Sequence, residues 1–245
     1  MLTARAGVAP GERIIDVGCG CGGTTRELAL RVGADGRAIG VDVSAPMIAR
    51  ARERAGAASA AEFIVADAAA HEFAPGWADL LFSRFGVMFF ADPALAFANL
   101  RKGLTRGGRV VFACWREIER NPWQTIALGA ACKHVPRPPE IGPDDPGPFS
   151  FADEARVRRI LGTAGFGQIA LTPVDLELDL AAGGGLEAAV AALQQIGAAA
   201  RALEGQPDDR RAAALAAIRA ALAPHQRGMS LPLGAAIWIV EAVNP

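Results

Sequence analysis

Short apolar runs alternate with helical stretches along the first half of the chain. The apolar runs cover residues 13–17, 37–43, 62–66, 79–83 and 109–115, and the last of them is expected to follow a turn at Gly107 and Gly108. Runs of this length, bounded by Gly, Asp or Pro, are typical of β-strands. The stretches between them carry helix-start signals, such as Ser44 two residues before Pro46 and a proline at Pro93. Strands that alternate with helices predict an α/β fold with a mostly parallel sheet covered on both faces.

The pattern changes after residue 115. It predicts a helix at residues 121–132, a proline-rich irregular stretch at 135–148, a helix at 153–164, a half-exposed strand at 168–180 and a final strand at 235–243. Two alanine-rich helices are predicted between the last two strands, and their apolar faces carry Leu186, Val190 and Leu193 in one and Leu215, Ile218 and Leu222 in the other.

These elements predict one domain over residues 1–245. Its core is expected to consist of residues 11–115, 167–180 and 235–243, interrupted by two insertions at 116–166 and 181–234. Insertions that follow strand ends lie where a parallel sheet binds its ligands. We therefore expect the two insertions to form a helical cap that selects the substrate.

Composition and charge narrow the functional classes. Of the 245 residues, 51% are hydrophobic and 21% are charged, which is ordinary for a globular protein that can bury a core without disulfides. The 25 basic residues nearly balance the 26 acidic ones, giving a net charge of -1. This balance argues against a protein that holds nucleic acid or anionic membranes mainly by electrostatics.

The cysteines and apolar runs bear on location. The four cysteines, Cys19, Cys21, Cys114 and Cys132, form no C-x-x-C pair, so we expect no metal site. No apolar run approaches the roughly 20 residues needed to span a bilayer. The sequence therefore predicts a cytoplasmic protein without a membrane span.

A glycine turn follows the first predicted strand, and its sequence fits two motifs. Gly18, Gly20 and Gly23 satisfy G-x-G-x-x-G, a dinucleotide motif, while Asp16 with Gly18, Gly20 and Gly22 satisfies D-x-G-x-G-x-G. A dinucleotide presents an anionic pyrophosphate to this turn, whereas S-adenosylmethionine presents an ammonium and a sulfonium. The carboxylate of Asp16 opposes the first ligand and suits the second.

Two further carboxylates end the next two predicted strands. Asp42 is placed to accept hydrogen bonds from both ribose hydroxyls. Asp67 is placed to accept from the adenine exocyclic amine, while the backbone N–H of Ala68 donates to the ring. Because parallel strands end at one edge of the sheet, these acids and the glycine turn are expected to line one crevice.

The motifs together resemble those of class I S-adenosylmethionine-dependent methyltransferases, in particular the small-molecule branch similar to ubiquinone/menaquinone-type C-methyltransferases. They stand here as IIDVGCGCG, GVDVSAPM, VADA, DLLFSRFGVMFFADP and GLTRGGRVVFACW. The resemblance covers most of residues 11–115 and the closing strand. It implies a Rossmann-like seven-stranded sheet of order 3-2-1-4-5-7-6 with the last strand antiparallel.

The resemblance also implies a cofactor site. Its residues here are Asp16, Gly18, Cys19, Gly20, Gly22, Asp42, Val43, Met47, Asp67, Ala68, Ser83 and Arg84. Met47 is expected to pack on the adenine, and the segment from Ser83 to Phe85 is expected near the transferable methyl group.

Two features of the chain depart from the pattern of the family. Relatives usually carry an N-terminal helical lid where this chain has only about ten residues before Gly11, and Cys21 replaces the commoner Thr or Ser.

Methyl transfer from a sulfonium needs mainly proximity and alignment, because the leaving group is already activated. A catalytic base is optional, and the candidates are His71, His134 and His225, each of which has a structural explanation as well. Arg84 has two interpretations, one as a partner of a substrate carboxylate and the other as a partner of an acid of the fold. No catalytic residue is assigned from the sequence.

The predicted activity is O- or C-methylation of a small apolar acceptor, with S-adenosylhomocysteine as the second product. The cap aromatics are expected either as pocket walls or as a small core, and they are Trp115, Trp123, Phe149 and Phe151. The SRFG segment and the absence of a basic stripe disfavour a nucleic-acid substrate, and a monomer or homodimer is expected. Two alternatives stay open: an NAD(P)-dependent oxidoreductase that uses the same glycine turn, and a non-catalytic S-adenosylmethionine-binding protein.

Overall fold

The structure, a computed structural model, describes residues 1–56, 60–139, 142 and 145–245. Over these residues the strands are β1 (Arg13–Val17), β2 (Arg37–Asp42), β3 (Ala61–Val65), β4 (Ala78–Arg84), β5 (Leu104–Trp115), β6 (Gly167–Asp179) and β7 (Pro232–Val243). The helices are α1 (Leu2–Arg5), α2 (Gly23–Val32), α3 (Ala45–Ala55), α4 (Pro93–Lys102), α5 (Pro122–Ala131), α6 (Glu154–Thr163), α7 (Gly185–Leu193), α8 (Gly197–Leu203) and α9 (Asp208–Leu222). Short 3₁₀ turns lie at Val87–Phe89, Ile118–Arg120 and Ala223–His225.

The strands form one sheet in the order β3-β2-β1-β4-β5-β7-β6. The first five strands pair in parallel. Strand β7 runs antiparallel to β5, since the N–H of Asn244 donates to the carbonyl of Gly108 near one end and the N–H of Arg116 donates to the carbonyl of Ala236 near the other. The Rossmann-like sheet order implied by the sequence motifs is therefore confirmed.

Side-chain caps fix the starts of the helices that the sequence predicts. The hydroxyl oxygen of Ser44 accepts from the N–H of Met47 at the start of α3. A carboxylate oxygen of Asp92 accepts from the N–H of Leu95 at the start of α4, one residue before Pro93. These oxygens satisfy backbone N–H groups that a helix start leaves without an intrahelical acceptor.

Two sequence expectations are wrong in detail. The structure has three alanine-rich helices where two were expected, because α8 (Gly197–Leu203) lies between α7 and α9. The Gly107–Gly108 pair is not a turn before β5. It lies within β5 as a bulge, where the pairing register with β4 shifts between Ala78 and Leu80, and Gly107 has φ +78°. A glycine adopts this left-handed conformation without steric strain.

The described residues divide into two compact units. Unit 1 comprises the described parts of residues 1–115, 144–173 and 238–245, and unit 2 comprises those of 116–143 and 174–237. The domain boundaries expected from the sequence stay a prediction. In the proline-rich stretch at 135–148, positions 140, 141, 143 and 144 lie outside the described residues.

The core of unit 1 is built on aromatic side chains. The ring of Phe97 lies 5.7 Å from that of Phe112, 6.4 Å from that of Phe151 and 6.3 Å from that of Phe166 (centroid distances). Phe151 is 1% exposed, so it belongs to this core and not to a pocket wall. Helix α6 supplies Val157, Ile160 and Leu161 to the same cluster.

Unit 2 is organised around buried Asn121. Its amide nitrogen donates to the carbonyls of Arg116, Glu117 and Ala236, and its amide oxygen accepts from the N–H of Ala236 and the indole N–H of Trp123. Trp123 is buried as well, which places it in the core of this unit. Over the described part of the chain, no helix combines the length and apolar character needed to cross a membrane.

Candidate functional site

A cleft of about 350 Å³ opens at the carboxyl ends of β1, β2, β3 and β4, entirely within unit 1. Its lining residues are Val17, Gly18, Gly20, Val41, Asp42, Val43, Met47, Ala66, Asp67, Ala68, Phe85, Gly86, Phe89 and Phe90. Seven residues of the predicted cofactor site are among them: Gly18, Gly20, Asp42, Val43, Met47, Asp67 and Ala68. The cleft lies at the strand ends where open α/β sheets bind their ligands.

The glycine turn forms the floor of the cleft. Gly18 and Gly20 have φ +67° and +55°, which glycine adopts without strain. The packing at Gly18 is close, because a Cβ atom there would stand 2.6 Å from the Cα of Gly86. The turn therefore depends on glycine both for its backbone conformation and for the contact with the loop that follows β4.

Asp42 lies between the glycine turn and α3. One carboxylate oxygen accepts from the N–H of Gly20 at 2.9 Å, and the other accepts from the N–H of Ser44 at 2.9 Å. Each carboxylate oxygen has a further lone pair for a ligand hydroxyl. Asp42 thus ties the turn to the start of α3 and still presents acceptors to the cleft.

Asp67 and Ala68 lie beyond the end of β3. A carboxylate oxygen of Asp67 accepts from the N–H of Ala69 at 2.9 Å, and its side chain is exposed to the cleft. The neighbouring Ala68 is buried at 5% exposure and lines the same wall. Met47 and Val43 add apolar lining to the same cleft.

Asp16 is fully buried beside the glycine turn and is not a lining residue. One carboxylate oxygen accepts from the hydroxyls of Thr24 and Thr25, each at 2.7 Å. The other oxygen has no hydrogen-bond partner among the described residues. Burial raises the pKa of Asp16 to about 6, although the bonds from Thr25 and Thr24 and the nearby charge of Arg84 lower it. An incompletely paired carboxylate beneath the turn suits a cationic ligand above it and opposes an anionic one.

The loop after β4 forms the other end of the cleft. Phe85 has φ +66°, a conformation that costs a bulky residue about 1–3 kcal/mol. Its N–H donates to the carbonyl of Ala113, and its ring stacks on that of Trp115 with a centroid distance of 4.2 Å and an interplanar angle of 6°. The sequence motifs predict Phe85 near this end of the cleft, but they do not predict Gly86, Phe89 and Phe90 as lining residues. The signal for them was the run of phenylalanines directly after β4.

Ser83 is fully buried and acts on the backbone of this region. Its hydroxyl donates to the carbonyl of Val17 at 2.7 Å and accepts from the N–H of Gly86 at 3.1 Å. The side chain therefore links the end of β1 to the loop after β4. It is predicted as a cofactor residue, and the structure places it behind the lining residues.

Three other predicted cofactor residues also lie outside the lining. Cys19 is buried, and burial raises the pKa of its thiol to about 12. A Cβ atom on Gly40 would stand 2.8 Å from the Cys19 sulfur, so the glycine in β2 makes room for that thiol. Gly22 faces Phe63, since a Cβ there would come within 2.7 Å of its ring. Arg84 ends β4 and pairs with Ala113 through the backbone, while its exposed side chain forms no hydrogen bond or ion pair with the described residues.

The three histidines are not lining residues of the cleft. His71 is half-buried and packs edge-on against Phe73, with ring centroids 4.7 Å apart. His134 and His225 are exposed residues of unit 2. Their proposed role as catalytic bases stays a prediction.

The comparison with known proteins agrees with this geometry. Residues 14–108 match the family described as "Methyltransferase domain". The chain is 33% identical over 144 residues to a tocopherol O-methyltransferase of Arabidopsis thaliana, covering 55% of this chain and 41% of that protein. It is 30% identical over 181 residues to a trans-aconitate 2-methyltransferase of Paracidovorax citrulli, covering 73% of this chain and 63% of that protein.

Solved structures show the same architecture. The phosphoethanolamine N-methyltransferase 2 of Haemonchus contortus, in complex with phosphomonomethylethanolamine and S-adenosylhomocysteine, superimposes with a TM-score of 0.59 at 19% identity. The match covers 100% of this chain and 51% of that one. At this level of identity the likeness concerns the fold alone.

The sheet order, the glycine turn and the strand-end acids define a Rossmann-like methyltransferase domain. The chain carries, over residues 14–108, a domain of the class I S-adenosylmethionine-dependent methyltransferase type. It spans less than two thirds of the length of the curated relatives described above, 41% of one and 63% of the other.

Proposed function

We propose that the protein transfers a methyl group from S-adenosylmethionine to a small apolar acceptor, at oxygen or carbon, by in-line displacement. When bound, the cofactor supplies a methyl group on an already activated sulfonium leaving group. The protein then needs to provide proximity and alignment, which in well-oriented reactions accounts for a large part of the rate.

One observation carries this proposal. The only charged side chains among the described lining residues are the carboxylates of Asp42 and Asp67, and Asp16 lies buried beneath the same turn. A cleft with this charge attracts a cationic ligand and repels a pyrophosphate. The match to the methyltransferase family favours the same choice between the two interpretations of the glycine turn.

Each part of the cleft has a task in this proposal. The turn at Gly18 and Gly20 lets the backbone approach the methionine part of the cofactor closely. Asp42 accepts from the ribose hydroxyls, and the N–H of Ala68 donates to the adenine ring. Met47 covers the adenine face. The loop that carries Phe85 faces the transferable methyl group and the acceptor.

The acceptor is proposed to be apolar because the lining at the Phe85 end consists of Phe85, Gly86, Phe89 and Phe90. The two relatives, a tocopherol O-methyltransferase and a trans-aconitate 2-methyltransferase, are named for different acceptors. We also infer a cytoplasmic protein that acts as a monomer or homodimer. We infer that it does not bind nucleic acid, and the net charge of -1 supports this last inference.

Isothermal titration with S-adenosylmethionine and with NAD tests the cofactor. We expect S-adenosylmethionine to bind the native protein, and Asp16→Asn to weaken that binding by about tenfold or more, the ratio given by 1.4 kcal/mol. A matched control is Asp79→Asn. Asp79 lies near the start of β4, at the end of the strand opposite to the cleft. This control should leave the affinity unchanged. Tighter binding of NAD than of S-adenosylmethionine would contradict the proposal.

Methyl transfer itself is tested with cofactor labelled in the methyl group and the small-molecule fraction of a cell extract. We expect a labelled product that Asp42→Ala abolishes, since that variant loses the ribose acceptor. Cofactor binding without any labelled product across extracts would instead support the non-catalytic alternative.

A further inference from the structure

The backbone at Phe85 is held in its left-handed conformation by its surroundings. The N–H of Phe85 is bonded to the carbonyl of Ala113, and the hydroxyl of Ser83 bonds both the carbonyl of Val17 and the N–H of Gly86. These bonds fix the residues on both sides of Phe85. A strained residue over-determined in this way points to a functional demand on its side chain.

The second observation is the orientation of the Phe85 ring in this conformation. The ring lies parallel to that of Trp115, at 4.2 Å and 6°, and Phe85 also lines the cleft. Trp115 is the last residue of β5, so the strand next to β4 backs the ring. Two stacked rings form a flat and rigid wall, because each ring limits the rotation of the other.

The order of the strands locates this wall relative to the cofactor groups. Along the edge of the sheet, Asp67 follows β3, Asp42 ends β2, Gly18 follows β1, Phe85 follows β4 and Trp115 ends β5. Neighbouring strands lie about 4.8 Å apart, so Phe85 is about two strand spacings, roughly 10 Å, from Asp42. The wall therefore lies on the far side of the glycine turn from the ribose and adenine positions.

We propose that the Phe85–Trp115 pair is an acceptor platform, and that the methyl acceptor presents a flat, uncharged unsaturated ring to Phe85. This inference rests on the proposed function, because it assigns the acceptor end of the same cleft. A planar ring offers more contact to a flat wall than a puckered one of the same skeleton and gains the offset stacking that aromatic pairs favour. The apolar side chains of Phe89 and Phe90 on the same loop fit an uncharged ring.

The test compares two probes that share a skeleton and a hydroxyl, planar 2-naphthol and puckered decahydro-2-naphthol. Each is titrated into the protein alone and into the protein saturated with S-adenosylhomocysteine, which blocks the adenine position. We expect the native protein to bind 2-naphthol at least about tenfold more tightly, a difference of 1.4 kcal/mol. The variant Phe85→Leu should lose most of that preference while its affinity for S-adenosylhomocysteine changes by less than about twofold.

Two further variants separate the platform from folding effects. Phe85→Gly removes the ring and relieves the backbone strain, but it also loses the packing on Trp115. It should lose the preference, and its binding of S-adenosylhomocysteine shows whether the cleft is still folded. Phe73→Leu, which alters a half-buried phenylalanine outside the cleft, should keep the preference. Equal binding of the two probes to the native protein, or a preference retained by Phe85→Leu and Phe85→Gly, would overturn the platform. Failure to bind S-adenosylhomocysteine would contradict the proposed function instead, and the titrations without it would still decide on the platform.

Discussion

At the scale of single residues, the proposed role of Asp16 in ligand binding opposes its effect on folding. Its carboxylate is fully buried, and within the described part of the chain one oxygen has no hydrogen-bond partner. Burial raises its pKa from 3.8 to about 6, against the lowering effect of the bonds from Thr25 and Thr24. The folded protein therefore binds this proton more tightly than the unfolded chain does. The stability linked to Asp16 is fully present below about pH 3.8 and is lost as the pH rises to about 6.

Substitution of Asp16 makes this loss measurable. The pKa difference corresponds to about 3 kcal/mol of unfolding free energy. We expect Asp16→Asn, which carries no charge at any pH, to become more stable relative to the native protein by up to about that amount between pH 4 and pH 7. Urea unfolding of both proteins across this range gives the difference directly.

The control for Asp16 is Asp79→Asn, which removes a half-exposed carboxylate that accepts from the N–H of Arg13. This variant should show no gain in stability as the pH rises. Parallel pH profiles for the native protein and Asp16→Asn would show that Asp16 titrates normally in the folded state. The expected gain in stability, together with weaker cofactor binding, would mark Asp16 as a residue whose burial serves ligand binding.

At the scale of elements, the cleft depends on how the ends of β1 and β4 are joined. The buried hydroxyl of Ser83 is the link, since it bonds the carbonyl of Val17 and the N–H of Gly86. Replacement by alanine leaves both backbone groups without this partner. We expect Ser83→Ala to lower the free energy of unfolding by about 1–3 kcal/mol, the penalty for buried polar groups left unpaired, measured by urea unfolding.

Ser44 offers the comparison for Ser83. Its hydroxyl accepts a 3.5 Å bond at the partly exposed start of α3, so Ser44→Ala should cost no more than about 1 kcal/mol. If Ser83→Ala cost no more than Ser44→Ala, the connection between the two strand ends would not be a significant source of stability.

The same elements show why part of the molecule was predictable from the sequence. Buried parallel strands are continuous apolar runs, so β1 was predicted with its observed bounds, Arg13–Val17. The acids expected at one crevice, Asp42 and Asp67, both line the cleft. Helix α8 was missed because its sequence, GAAARAL, is too rich in alanine to show an apolar face. The bulge at Gly107 was missed because it depends on pairing with β4.

The candidate site was predictable to a similar extent and for similar reasons. Strand-end acids and glycines have local signatures, whereas the left-handed backbone of Phe85 has none, because phenylalanine rarely adopts it. That conformation is held by the bond that the N–H of Phe85 donates to the carbonyl of Ala113, which lies far away along the chain, and by the bond that the N–H of Gly86 donates to the Ser83 hydroxyl. Asp16 was expected to hold the ligand directly, and the structure instead buries it beneath the turn.

At the scale of the whole molecule, the cleft lies in one of two compact units. All its lining residues fall within residues 17–90 of unit 1. A ligand that binds only the folded cleft stabilises the unit that contains it by about 2.7 kcal/mol at one hundred times its Kd. For a unit of the size of unit 1, this gain in the free energy of unfolding corresponds to a rise in Tm of about 5–10 °C.

The tryptophans allow this rise to be assigned to unit 1. Trp77, Trp115 and Trp238 belong to unit 1, and Trp123 belongs to unit 2. In the variant Trp123→Phe, tryptophan fluorescence therefore reports on unit 1 alone. We expect its melting curve to shift upward by about 5–10 °C with S-adenosylmethionine at one hundred times Kd and to stay in place with NAD. The double variant Trp123→Phe/Asp16→Asn at the same cofactor concentration should shift by less, because its Kd is higher. An unchanged Tm with S-adenosylmethionine would contradict the placement of the cofactor site in unit 1.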